Sequence, residues 1–214
     1  MWALLDDSDN ITEIIAHPKS LVINDIRHPK ALFRAWTDAE RKAIGIVPVT
    51  TTGSHLDIKY YIEVDEAFAV AGDKNSVVRT IGVKAADRKL TDTDEVDEDG
   101  DPLLDDDGVQ VVTLGLKSNA KNKATTQSSG LLKGFGWLIQ RKVTASVAIP
   151  SAVTTYMAAI RTDHGNICTA IDGANTMAKF IALHTTTYNE DGTVNVIAKT
   201  QSWTSDANVK AYRR

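Results

Sequence analysis

Between Asp92 and Asp107 the chain carries ten acidic side chains and no Lys or Arg, which constrains its fold more than any other feature. Carboxylates at that density repel one another and lose too much hydration to enter a core together. The stretch therefore belongs at a surface or between folded parts. Within it, Asp99-Gly100 and Asp107-Gly108 are turn-forming pairs. Residues 87–114 are accordingly read as an acidic connector or hairpin. The full 214 residues exceed one typical core and favour two folded parts.

Outside residues 92–107 the chain holds 24 basic against 18 acidic side chains. That excess is spread along the sequence and does not gather into a basic stripe with interleaved aromatics, so no nucleic-acid partner is expected. No apolar run approaches the roughly 18 residues of a membrane span, so no membrane association is expected either. The opening MWALLDDSDN has neither the basic start nor the apolar segment of a secretory signal, and no export is expected. The single cysteine, Cys168, excludes an internal disulfide framework.

The fold class expected is α+β. Trp2–Asp6 and Ile11–Ala16 flank the turn-rich SDN as a hairpin, with a third strand over Leu21–Ile26. Thr37 and Glu40 form a capping-box pair that starts one short helix, stopped by Gly45. From Val47 the runs IVPV, KYYIEV, AFAVA and SVVRTIGVKA alternate around turns at Asp65-Glu66 and Gly72–Asn75, which predicts an antiparallel meander. Residues 1–86 thus form an amino-terminal antiparallel sheet domain. Val109–Thr113 is one further strand.

Beyond Leu114 the period changes. Val153, Tyr156, Met157, Ile160, Ile167 and Ile171 fall on one helical stripe that His164 completes, opened by Pro150-Ser151 and closed by Asp172-Gly173. A second helix opens at Asn175 with Met177, Phe180, Ile181 and His184 inward, and residues 118–142 supply one or two more. Residues 115–190 form a small helical bundle, and 191–214 a terminal strand or arm that turns at Asp191-Gly192.

Catalytic templates do not match. A calcium loop begun at Asp97 places Pro102 where a Gly is needed and Gly108 where a bidentate acid is needed. His17 and His28 open the near-repeat HPKSL and HPKAL, but neither has a helical metal-ligand partner. His164 and Cys168 lie in or beside the apolar stripe as a core histidine and a buried thiol. There is no GxSxG, no GxxxxGK[ST], no HExxH and no GxGxxG after a strand. No catalytic, metal or cofactor residue is expected, and the chain is read as a non-enzyme. Trp2, Trp36, Tyr60, Tyr61 and Phe68 supply the aromatic area of the sheet domain and are the candidate partner-binding residues.

The run WLIQRKVTASVAIPSAVTTYMAAIRTDHGNICTAIDGANTMAKFIALH resembles a module at the carboxyl end of small tailed-phage proteins. It shares with them an aromatic and Arg-Lys helix, an IPS segment leading into Tyr156, and AI-GA ahead of a final short helix. MWALLDDSDNITEII, the AW-DAERKAIGI segment and DEDG-PLLDDDGVQVVT-GLK resemble the amino-terminal part of the same proteins, so the likeness spans most of the chain. The family is that of bacteriophage tail-fibre assembly proteins. The resemblance implies a non-enzymatic chaperone or fibre-tip protein, without a cofactor. Its partner would be a trimeric tail-fibre protein of host attachment, with a second copy of itself as a further partner. It would work in the host cytoplasm during assembly and could be retained on the virion tail. The alternative is a permanent structural component of the tail, baseplate or fibre network.

Overall fold

Side chains alternate between two faces along Trp2–Leu5 (β1) and Ile11–Ile15 (β2), and the two strands pair antiparallel with Ala3 opposite Ile14. The turn between them is held by Asp6, whose Oδ1 accepts the amides of Ser8 at 2.9 Å and Asn10 at 2.8 Å. The computed structural model describes residues 1–214 and divides into two units, Met1–Asp87 and Arg88–Arg214. Its class is α+β, with sheets in the first unit and most helices in the second.

The expected third strand is instead a second hairpin, Leu21–Ile23 (β3) and Ile26–His28 (β4), because Asn24 and Asp25 both take positive φ and reverse the chain. The one expected helix is two. Leu32–Ala35 (α1) stops where Trp36 becomes extended, and Asp38–Lys42 (α2) begins with both halves of the Thr37–Glu40 capping box formed. Arg41 joins them by donating to the carbonyls of Leu32, Phe33 and Trp36.

Ile46–Thr52 (β5) pairs antiparallel with β1 through residues 46–48. Tyr61–Glu63 (β6) leaves this sheet, and Ala67–Val70 (β7) returns to it beside Val77–Thr80 (β8). The order is β2-β1-β5-β8-β7, and β5 pairs with β8 in parallel, Val49 opposite Val77. The antiparallel meander is therefore corrected at this pair. KYYIEV does not lie between its sequence neighbours in the sheet; β6 pairs with Lys84–Asp87 (β9) in a separate two-stranded sheet. Pro48, which has no amide to donate, stands where β5 exchanges β1 for β8. Just beyond the two parallel strands the backbone crosses itself at Gly53 and Gly82, both at positive φ; a Cβ on Gly82 would lie 1.8 Å from the Ser54 oxygen, and one on Gly53 2.2 Å from that of Ile81.

The sheet buries both faces. Ile15, Leu21, Leu32, Phe33 and Ile46 form one cluster under α1 and the β3–β4 hairpin, while Ala3, Leu5, Val47 and Val77 form the other. Neighbouring residues such as Ile46 and Val47 fall into opposite clusters, as strand alternation requires.

In the second unit the acidic stretch is folded. Thr93–Asp94 (β10) pairs antiparallel with Val112–Thr113 (β11), and two further hairpins lie between them. Leu116–Lys133 (α3) and Gly136–Ala145 (α4) are separated at Gly134-Phe135, and Ser146, at a φ of 54°, ends α4. Ser151–Gly173 (α5) starts behind Pro150 and packs along α3. All six apolar stripe residues of α5 are buried. Met177–His184 (α6) is capped by Thr176, whose hydroxyl accepts the Lys179 amide, so the helix opens two residues after Asn175. Met177 and Phe180 are buried, whereas Ile181 and His184 are half-buried.

The core of this unit gathers Phe135, Leu138, Val153, Tyr156, Met157, Ile160 and Val209. A two-residue strand, Thr187–Tyr188 (β12), pairs with Val194–Val196 (β13), and short 3-10 turns follow at Lys199–Gln201 and Lys210–Tyr212. Residues 212–214 close over the α3–α4 turn. The Arg214 amide donates to the Gly134 oxygen at 3.1 Å, Arg213 donates to the Leu131 carbonyl and pairs with Asp206, and Trp137 donates to the Tyr212 carbonyl beneath the Arg214 guanidinium.

Candidate interaction surfaces

The five aromatics proposed for partner binding occupy three places in the first unit. Trp2 packs on Phe33 with ring centroids 4.7 Å apart, and Trp36 meets His28 edge-on at 5.7 Å; both border the cluster under α1. Phe68 borders the cluster on the opposite sheet face. Tyr60 is buried, and Tyr61 lies beside it at 6.4 Å. Trp2, Trp36, Tyr61 and Phe68 are half-buried, so each gives much of its ring to the unit's own packing.

The sheet ends in two strands of different character. At β2, Glu13 pairs with Lys19 and the Thr12 hydroxyl donates to the Leu4 carbonyl. Charged side chains on an edge discourage pairing with another chain. At the opposite edge, β7 reads Ala-Phe-Ala-Val and carries no charge. Phe68 and Val70 turn toward the core while Ala67 and Ala69 are exposed and small. A strand with this pattern can accept a further extended segment through main-chain hydrogen bonds.

In the acidic stretch, three ladders meet at Glu95, Leu103 and Val111, residues spaced by eight. The Glu95 amide donates to the Val111 oxygen at 2.9 Å, Leu103 to Glu95 at 3.0 Å, and Val111 to Leu103 at 2.8 Å, closing a ring. Gln110 lies over the ring, its Nε2 within 2.7 Å of the Glu95 oxygen, 3.2 Å of Leu103 and 3.1 Å of Val111.

The turns of the two inner hairpins are alike. Asp97 Oδ1 accepts the amides of Asp99 and Asp101, and Asp105 Oδ1 those of Asp107 and Val109; Gly100 and Gly108 take positive φ. The octads EVDEDGDP and LLDDDGVQ carry this repeat in the sequence, a signal that composition and helical periodicity both pass over. Asp97 and Asp105 are thus engaged by backbone amides, and the structure has no group of three or more His, Cys, Asp or Glu side chains placed to hold a metal ion.

Between α3 and α5 runs a polar seam. His164 Nε2 is 3.0 Å from the Thr125 hydroxyl and 3.6 Å from Cys168 Sγ, while Lys121 pairs with Asp172 at 2.9 Å and Lys117 donates to the Asp172 carbonyl. His164 and Cys168 are half-buried rather than the core histidine and buried thiol expected, because they lie on this polar seam beside the apolar stripe; partial burial still raises the Cys168 thiol above its usual range, only partly opposed by Lys121. The thiol therefore stays protonated near neutrality and is a poor nucleophile. Lys117, Lys121 and Thr125, spaced by four on α3, all reach α5, the first two at Asp172 and the third at His164.

No helix is long and apolar enough to cross a membrane. No family model, curated protein or solved structure matches the chain.

Proposed function

We propose that this chain is a non-enzymatic bacteriophage tail-fibre assembly chaperone or fibre-tip protein whose amino-terminal sheet unit binds a trimeric fibre. The resemblance of the sequence to that family suggests the role, and the uncharged free edge of β7 is the observation that carries it. Fibres rich in long-range strand pairing form slowly and leave strand edges open to aggregation. A preformed sheet with one guarded and one receptive edge can hold such a strand in register without chemistry. On this reading the chain works in the host cytoplasm during assembly, and persistence in the virion tail is a further stage of the same contact.

Co-expression with a trimeric tail-fibre protein of the kind proposed as its partner tests the reading. Soluble fibre trimer should rise several-fold with the intact chain, and Ala67→Lys with Ala69→Lys, which charges the exposed face of the β7 edge, should abolish the gain. Unchanged fibre solubility together with no co-purification would refute the proposal.

A further inference from the structure

Ten Lys and Arg side chains lie in residues 1–87, and seven of them are engaged. Lys19, Arg41, Lys74, Arg79 and Lys84 pair with carboxylates, Lys42 donates to Asn75, and Lys59 lies over the Tyr60 ring. The other three, Arg27, Lys30 and Arg34, have no such partner and fall within one stretch of eight residues. Two of these three, Lys30 and Arg34, line a groove of about 530 Å³ whose remaining walls are Pro18, Ala31 and Ala35.

The backbone explains the two-toned lining. The turn that begins at Pro29 and continues through α1 places residues four apart on one line. Lys30 and Arg34 make a cationic row, Ala31 and Ala35 a small apolar row beside it, and Leu32 and Phe33 face the core. The small side chains leave the concavity open. Both cations are exposed, so nothing in the fold requires their charge.

We infer that this groove is a docking site for an acidic, apolar-flanked peptide segment of a partner protein, with carboxylates on Lys30 and Arg34 and an apolar side chain against Ala31, Ala35 and Pro18. Charge complementarity selects the occupant. The unit holds 13 acidic against ten basic side chains, and Arg27, Lys30 and Arg34 are three cations close in sequence that no carboxylate neutralises. Nucleic acid requires several phosphate contacts along an extended basic track, whereas one or two carboxylates on an apolar segment match a short cationic row beside an apolar wall. The inference holds whichever protein supplies the segment and does not depend on the fibre reading.

The test uses the full chain and a short labelled peptide in which Asp alternates with Leu and Ala, with the Asn-for-Asp peptide and a single-stranded oligonucleotide as competing probes. Fluorescence anisotropy should show binding of the Asp peptide that weakens with added salt. Lys30→Glu with Arg34→Glu should weaken it by roughly tenfold or more, because two exposed attractions become repulsions. Ala35→Leu, which fills the apolar row and keeps both charges, should weaken it several-fold. Unchanged thermal melting of these exposed-site variants separates loss of binding from loss of fold. Equal affinity for the Asn peptide, retention of binding by the double variant, or preference for the oligonucleotide would each overturn the inference.

Discussion

Gln110 donates its side-chain amide to the carbonyl of Glu95 at 2.7 Å, across fifteen residues of sequence. The same nitrogen lies within hydrogen-bonding reach of the Leu103 and Val111 carbonyls, so one amide group ties three backbone ladders together. Gln110→Ala should cost about 1 kcal/mol of stability in the second unit, the usual worth of a partly buried hydrogen bond. Gln110→Glu should cost more, because a carboxylate would face three carbonyl oxygens. Hydrogen exchange should show the Glu95, Leu103 and Val111 amides losing protection together. Loss at one alone would mean that the three-bond ring is not a cooperative feature.

At the crossing beyond the parallel strands, Gly82→Ala should destabilise the first unit by about 2 kcal/mol or more, combining a left-handed backbone with a clash against main chain that cannot step aside. Gly72 has open space around its Cβ position and an ordinary φ, so Gly72→Ala should be neutral or stabilising by about 0.5 kcal/mol. Urea denaturation of the two variants provides the comparison.

Asp92 ties the start of α3 to the acidic segment. Hydrogen bonds from the Gly115 amide, and then from the Ser118 hydroxyl, hold its carboxyl below the ordinary value of 3.8. A carboxylate with a depressed folded pKa stabilises the fold above its unfolded value, and that contribution disappears as pH falls through the folded pKa. Stability should therefore decline on acidification below about pH 4, and Asp92→Asn should flatten that part of the profile while lowering stability at neutral pH. Thermal melts across the acid range up to neutrality give the measurement.

Tyr156 has its hydroxyl buried in the second core without a hydrogen-bond partner. Removing an unsatisfied buried group relieves its desolvation cost, so Tyr156→Phe should change stability by less than about 1 kcal/mol and in the stabilising direction. Phe135→Ala, at the ring packed 5.6 Å from it, should cost about 3–5 kcal/mol. A large loss on Tyr156→Phe would instead reveal a water or other acceptor at the hydroxyl.

How much of this was legible in the sequence depended on whether the signal was local. The six apolar positions of the α5 stripe are legible because helical burial repeats within a few positions and Pro150 marks the entry, whereas His164, on the same stripe, is half-buried because its partner Thr125 lies on another helix. The Thr37–Glu40 box was equally local. The parallel union of β5 and β8 was not, since alternation identifies a strand without naming its partner. The β3–β4 reversal hid in Asn24-Asp25, a pair that tolerates positive φ but does not demand it. Of the candidate surfaces, the aromatics were visible as residue types, but the half-buried positions of Trp2, Trp36 and Phe68 depend on packing against α1 and the far side of the sheet, and Tyr60 is buried beside Tyr61. The groove at Lys30 and Arg34 was invisible because it is defined by which cations lack a partner.

The packing of Trp203 and Val209 into the second core, with residues 212–214 closed over the α3–α4 turn, sets a timetable for synthesis. All strand pairings of the first unit lie within residues 1–87 and can close as soon as that length has emerged from the ribosome. The second core must wait, because Trp203 and Val209 pack into it and Arg213 returns to Leu131 across 82 residues. At roughly 5–20 residues per second, the sheet unit is on display for several seconds before the helices can consolidate. A partner that recognises the sheet can thus be met by a chain still being made.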